Sequence, residues 1–177
     1  MKDLVEVLES YMIAEEGFFD KFKKNQAQSQ SSKISYAEFK SQYKHKIKKM
    51  LTLCSLKLPK LFKDPAYKQY RDGYNIYTDW KGKGGSITPI EKQFPTITVL
   101  TYDLRKVAKV NFKELSPRER EQYDAFAKMV LNVINTCATK VGLQGEAIDN
   151  REPGGFGTIT FMINCEYTGV DLGKSDE

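Results

Sequence analysis

The sequence predicts an α+β protein, in which a helical N-terminal half precedes a β-β-α-β-β unit with a small, mostly antiparallel sheet. Apolar residues recur at helical spacing through the first half, and β-branched residues with partial alternation follow the KGKGGS segment at 81–86. A single strong helix start then separates two strand regions. These observations divide the chain into a basic helical region, residues 1–80, and an α+β region, residues 87–177. The two can share a single core.

The first predicted helix spans residues 3–24. Asp3 is a suitable N-cap, and Glu6 stands three residues later, at capping-box spacing. Acidic residues near its start and lysines near its end suit the helix dipole. The Gln- and Ser-rich residues 25–33 then predict a polar linker.

A second helix is predicted to begin after Ser35, with Glu38 completing a capping box. Pro59 is expected to end this helix or to start a new short segment, because proline removes a backbone donor. The buried stripe follows at spacings of three and four, which is the periodicity of one helix face. It comprises Tyr36, Phe39, Tyr43, Ile47, Met50 and Cys54.

Asp64-Pro65 predicts a third helix, from Pro65 to about Asp79, because a cap followed by proline at the first helical position is a start signal. Aromatic residues recur along it at spacings of three and four. They form a tyrosine ridge made of Tyr67, Tyr70, Tyr74, Tyr77 and Trp80.

In the second half, residues 96–112 predict one or two strands. Ser116, Pro117 and Glu119 supply a cap, a first-turn proline and a capping box for a helix that ends near Gly142.

The C-terminal segments predict a hairpin. Residues 145–150 form a candidate strand, and residues 158–167 alternate cleanly between apolar and polar side chains. Between them lies PGGFG at 153–157, a turn in which glycine supplies positive φ. This loop and KGKGGS both lack the GxxxxGK[ST] pattern of a phosphate-binding loop.

Positive charge is concentrated in the middle of the helical half. Residues 21–92 carry 17 basic residues (Lys or Arg) and 5 acidic residues (Asp or Glu). Residues 1–20 carry one basic and six acidic residues, and residues 93–177 carry 10 basic and 12 acidic residues. A clustered positive field attracts polyanions. The candidate nucleic-acid-binding residues are Lys40, Lys44, Lys48, Lys49, Lys57, Lys60, Lys63, Lys68 and Arg71.

The tyrosine ridge has three interpretations. Aromatic side chains beside basic ones can stack on the bases of a single strand. Stripes at helical spacing are more often core packing, and tyrosine is also enriched at subunit interfaces, which would fit a homodimer.

Catalytic signatures are weak. His45 is the only histidine, and no GxSxG or CxxC motif is present. A Mg²⁺-dependent nuclease built from carboxylates remains as a third hypothesis, and Lys106 would assist it. Its candidate ligands are Asp103, Glu146, Asp149 and Glu152.

Three separated cysteines, Cys54, Cys137 and Cys165, indicate buried reduced thiols. The N-terminus lacks a signal-peptide pattern, and no apolar run reaches the roughly 18 residues of a membrane span. These observations predict a cytoplasmic protein without a membrane partner.

The favoured function is therefore a non-catalytic polyanion-binding module, whose partner is nucleic acid and whose binding element is the lysine-rich helix. The alternative is an interaction or inhibitor module that binds an acidic protein surface. Neither function requires a cofactor or a metal.

Overall fold

Helices and strands succeed one another in an order that confirms the α+β class. The computed structural model describes residues 34–78, 87–90, 94–108 and 112–165. The helices among them are α1 (Tyr36–Leu61), α2 (Leu104–Ala108) and α3 (Pro117–Lys140). The strands are β1 (Tyr74–Ile76), β2 (Ile87–Ile90), β3 (Phe94–Asp103), β4 (Gly145–Arg151) and β5 (Phe156–Ile163).

The strands form an antiparallel sheet in the order β1-β3-β5-β4. β2 also pairs with β3, and it meets the start of that strand, whereas β1 meets its end. On its other side β3 pairs with β5, and the register shifts between Thr98 and Leu100. The two short strands therefore share one edge of β3, and β5 occupies the other.

The start of α1 confirms the predicted capping box. The Ser35 hydroxyl accepts a hydrogen bond from the Glu38 backbone N–H at 3.3 Å, and the Ser35 backbone N–H donates to the Glu38 carboxylate at 2.8 Å. The prediction that Pro59 ends the helix is wrong, because α1 continues to Leu61. Leu58, beside the proline, is buried and keeps this last turn packed on the core.

The predicted helix from Pro65 to Asp79 is wrong. A 3-10 turn at Lys68–Gly73 leads directly into β1. A Cβ at Gly73 would lie 2.6 Å from the Val107 side chain and 2.9 Å from the Asp103 carbonyl oxygen, so the backbone passes very close to α2. The i to i+3 spacing of Tyr67 and Tyr70 fits a 3-10 turn as well as an α-helix, so periodicity alone could not distinguish them.

The sequence predicts one or two strands over residues 96–112, but β3 ends at Asp103. The prediction is wrong for the residues that follow, because Leu104–Ala108 form the helix α2. The Asp103 carboxylate accepts a hydrogen bond from the Arg105 backbone N–H at 3.1 Å, which caps the short helix α2. The Leu104 N–H donates to the Gly155 carbonyl at 2.9 Å and ties this corner to the hairpin turn.

The predicted long helix and hairpin are confirmed. Ser116 and Glu119 form a capping box at the start of α3, and the chain leaves the helix through Gly142, whose φ is 69°. β4 and β5 pair along their length, with Gly145 opposite Ile163 at one end and Arg151 opposite Gly157 at the other. Ile159, Phe161 and Ile163 are buried on β5, as their alternation predicts.

The core is one cluster that joins α1, α3 and the sheet. Phe126 of α3 lies at the centre of an aromatic group, with its ring centroid 4.7 Å from that of Tyr70 and 5.3 Å from that of Tyr74. Phe62 and Tyr67 complete the group. The predicted first helix, both linkers and Trp80 lie outside the described residues.

The capping box of α3 gives a pH-dependent prediction. Hydrogen bonds from Ser116 lower the pKa of Glu119 below its ordinary value of 4.5. A depressed folded-state pKa stabilises the protein above the unfolded-state pKa, and this stability is lost as pH falls through the folded-state pKa. We therefore expect Glu119→Ala to lower the free energy of unfolding at pH 7, and we expect the difference from wild type to shrink from about pH 4.5 downward.

Urea unfolding at pH 7 and pH 3 measures this difference. Glu121→Ala is the matched control, because Glu121 is an exposed carboxylate that makes no hydrogen bond within the described residues. If Glu119→Ala lowers the free energy of unfolding by the same amount at both pH values, the prediction is contradicted.

Candidate functional site

Helix α1 carries an unbalanced positive charge. Residues 39–61 contain seven lysines and one histidine, and no aspartate or glutamate. The preceding acid, Glu38, is held in the N-terminal cap. An ordinary surface helix mixes charges of both signs on its solvent side. This absence of acidic residues makes α1 the main candidate site.

The lysines follow the exposed side of the helix. The buried side points to the core through Phe39, Ile47, Met50, Leu51, Cys54 and Leu58. At about 100° per residue, the exposed residues cover an arc of about 200°. We use the term lysine face for four exposed lysines on this arc, which are Lys44, Lys48, Lys49 and Lys60; a fifth exposed lysine, Lys46, lies at one margin of the arc.

Within the described residues, no lysine of α1 forms an ion pair; the ion pairs there involve Arg105 and Arg151 instead. Lys40 and Lys57 are half-buried at the edges of the helix. Lys46 has a structural role that the sequence did not predict, because its ammonium donates a hydrogen bond to the Gly142 carbonyl oxygen at 3.1 Å. Within the described residues, the charges of the lysine face are therefore not neutralised by an ion pair.

Three further predicted residues lie off the helix. Lys63 follows α1 by two positions, and Lys68 and Arg71 belong to the 3-10 turn. All three are exposed. They extend the positive charge beyond α1 without contributing to the lysine face.

The tyrosine ridge is mainly core packing. Tyr70 and Tyr74 are buried around Phe126. Tyr67 is half-buried, with its ring 5.2 Å from that of Phe126. The half-buried Tyr77 places its hydroxyl 3.3 Å from that of Thr101. Tyr70 and Tyr74 could stack on a base only if the core opened.

Sequence reasoning missed a polar cluster that joins the sheet to α3. The Tyr102 hydroxyl donates a hydrogen bond to the Asp149 carboxylate at 2.9 Å, and Arg151 bridges Asp149 at 2.7 Å and Asp124 at 2.5 Å. Asp149 and Arg151 stand two residues apart on β4, so they share one face of the strand. That spacing was the available sequence signal, but nothing in the local pattern identified Tyr102 as the third member.

Tyr102 of this cluster and the neighbouring Tyr74 and Tyr123, whose rings lie 5.4 and 5.7 Å from that of Tyr102, are unsuited to acid-base chemistry. Burial raises the pKa of Tyr74, Tyr102 and Tyr123 well above the ordinary phenol value, so these groups stay protonated at neutral pH. The Tyr74 and Tyr123 hydroxyls are buried without a hydrogen-bond partner among the described residues. We interpret the cluster as a structural anchor for β4.

The carboxylates of the nuclease hypothesis are used elsewhere or lie exposed. Asp103 pairs with Arg105 at 3.1 Å, and Asp149 is held by Tyr102 and Arg151. Glu146 and Glu152 are exposed on β4 and on the following turn. Over the described residues, no three potential ligands among His, Cys, Asp and Glu come together as a metal site.

A cavity of about 360 Å³ lies where the 3-10 turn, α2 and α3 meet. Tyr70, Leu104, Val107 and Tyr123 contribute to its lining, and Glu119 is its carboxylate. Because the Ser116 cap lowers the pKa of Glu119, this carboxylate is a poor general base.

The three cysteines are free and buried. A hydrogen bond between the thiols of Cys54 and Cys137, together with burial, raises the pKa of Cys54. His45 is exposed on α1, whereas Cys54 faces the core, so the two do not form a catalytic pair.

In the described part of the chain, no helix combines the length and the apolarity that crossing a bilayer requires. No protein-family model matches the chain. Neither the curated proteins nor the solved structures gave a match. The lysine face is therefore the feature that supports a candidate function.

Proposed function

We propose that this protein binds nucleic acid through the lysine face of α1. The observation that carries the proposal is a long helix whose exposed arc presents Lys44, Lys48, Lys49 and Lys60, none of which forms an ion pair within the described residues. Each lysine that neutralises a phosphate releases condensed counterions, and this release drives binding.

Lysine suits contact with the backbone better than base readout. An ammonium is a compact point charge, whereas bidentate recognition of guanine needs the planar guanidinium fork of arginine. All the basic residues on α1 apart from His45 are lysines. The expected binding is therefore largely independent of sequence, with dissociation constants of about 10⁻⁴ to 10⁻⁶ M at physiological salt.

A salt titration of the intact protein tests the proposal. Labelled single- and double-stranded DNA and RNA are titrated with protein while the salt concentration is raised from about 50 to 200 mM. Four lysine-phosphate contacts predict that log K falls linearly with log salt, with a slope of about −3 to −4 on duplex DNA. The absence of binding to all four nucleic acids at the lowest salt would overturn the proposal.

An acidic protein surface is the second candidate partner. Leu56 favours it, because this side chain is 63% exposed on the same arc as Lys49 and Lys60. An apolar side chain ringed by charges is a common anchor at protein interfaces. Recovery of one stoichiometric acidic protein, unaffected by nuclease, together with no binding to nucleic acid, would favour this candidate.

We also propose that the protein is cytoplasmic, because its free, buried cysteines suit a reducing compartment.

A further inference from the structure

We infer that α1 binds in the major groove of B-form duplex DNA, with its lysines on the two phosphate walls and an uncharged row between them on the base edges. This inference rests on the proposed function and names its substrate class. It is carried by the distribution of side chains around the exposed arc of α1.

The lysines lie on two separate flanks. At about 100° per residue, Lys44 and Lys48 fall on one side of the arc, and Lys49 and Lys60 fall on the other. The consecutive pair Lys48 and Lys49 alone places one charge on each flank. The centre of the arc between them contains no Lys, Arg, Asp or Glu. Its exposed members are Ser41, His45, Thr52, Leu56 and Pro59.

The central row suits the floor of a groove. The Thr52 hydroxyl already donates a hydrogen bond to the Lys48 carbonyl at 2.9 Å, which leaves its methyl group as its contact surface. That methyl and the exposed Leu56 side chain can touch the methyl group of thymine. A weak preference among bases would follow from these apolar contacts, while the lysines supply the affinity.

The dimensions select one kind of duplex. The major groove of B-DNA is about 12 Å wide and admits an α-helix with phosphates on both sides. The corresponding groove of A-form RNA is deep and too narrow to be read in this way. A single strand offers one backbone, so it would engage only one flank.

The rest of the molecule leaves the arc accessible within the described residues. α1 packs against α3 on its buried side, and Lys46 binds Gly142 at the margin of this contact. The capping box fixes the start of α1, and Leu58 anchors its end. Among the described residues, α1 is therefore a helix fixed at both ends whose outer half is exposed.

A competition experiment tests this inference with the intact protein. A labelled DNA duplex of about 20 base pairs, roughly two helical turns, is displaced by unlabelled DNA duplex, RNA duplex of the same sequence, or single-stranded DNA at equal phosphate concentration. We expect the DNA duplex to compete at least 10-fold better than the other two. Equal competition by the RNA duplex would overturn the groove model and leave the proposed function standing, whereas failure of every nucleic acid to bind would overturn both.

Two further competition measurements determine which groove of the duplex the protein occupies. Methyl green, which occupies the major groove, should displace the protein, and netropsin, which occupies the minor groove, should not. The reverse pattern would overturn the inference.

A variant tests the central row. Leu56→Glu places a carboxylate against the base edges and should remove the preference for DNA over RNA. Ala125→Glu adds the same charge at an exposed position of α3 and should leave the preference intact. An unchanged DNA-to-RNA ratio in Leu56→Glu would contradict the placement of this row.

Discussion

Reversing Lys44, Lys48 and Lys49 to glutamate should weaken nucleic-acid binding at least about 100-fold at physiological salt. The three substitutions remove charges from both flanks of the exposed arc and replace attraction with repulsion. The salt slope should also flatten, because about three fewer counterions are released. Fluorescence anisotropy with labelled duplex DNA measures both quantities.

The control for this variant makes the same change in net charge at three lysines that lie outside α1. Lys106, Lys113 and Lys128 are exposed on α2, on the loop before α3 and on α3. Their reversal to glutamate should leave affinity within a few-fold of wild type. Equal loss in both triple variants would mean that overall charge drives binding, and unchanged affinity in the first would overturn the role of the lysine face. Far-UV circular dichroism verifies that both variants are folded.

Gly157→Ala should lower the free energy of unfolding by about 3 kcal/mol, since it combines overpacking with loss of a buried hydrogen bond. Gly157 lies opposite Tyr102 in the β3-β5 register, and the tyrosine ring crosses over it to reach Asp149. A Cβ at this position would lie 2.1 Å from the Tyr102 hydroxyl oxygen and 2.6 Å from the Asn150 carbonyl oxygen. The ring would have to move and would release Asp149.

Thermal unfolding measures the effect, which corresponds to a fall in Tm of about 10 °C for a chain of this size. Gly154→Ala is the matched control, because a Cβ there meets nothing within 4 Å. In a Tyr102→Ala background, Gly157→Ala should cost less, and the remaining cost reflects the contact with Asn150. A full, undiminished penalty in that background would show that Tyr102 is not the obstacle.

Local signals predicted the parts of the fold that local chemistry controls. The capping boxes at Ser35 and Ser116 and the alternation in β5 are properties of short segments, so the sequence contained them completely. The segment from Tyr67 to Ile76 was predicted wrongly, because its conformation depends on distant partners. Gly73 packs on α2, and β1 pairs with β3.

The candidate site shows the same division. Helical periodicity placed Lys44, Lys48 and Lys49 on one face of α1, but Lys60 belongs to the last turn of the helix, which Pro59 was expected to exclude. The bond from Lys46 to Gly142 joins α1 to the turn after α3, which is distant in the chain, so no local pattern could separate this lysine from its neighbours. The contact of Tyr102 with Asp149 likewise spans β5, and it depends on the absence of a side chain at Gly157.

The pairing of β3 with β5 has a consequence for how the chain folds. β2-β3 and β4-β5 each pair residues that are close in sequence, whereas β3-β5 pairing joins Thr96 to Met162 across the whole of α3. Local pairs form quickly, and closure of a long loop slows the remaining step. We therefore expect the β2-β3 and β4-β5 pairs to form first, and the pairing of β3 with β5 to be the slow step of folding. Because loop-closure entropy grows only slowly with length, the connections on either side of α3 should tolerate inserted residues with little change in the folding rate.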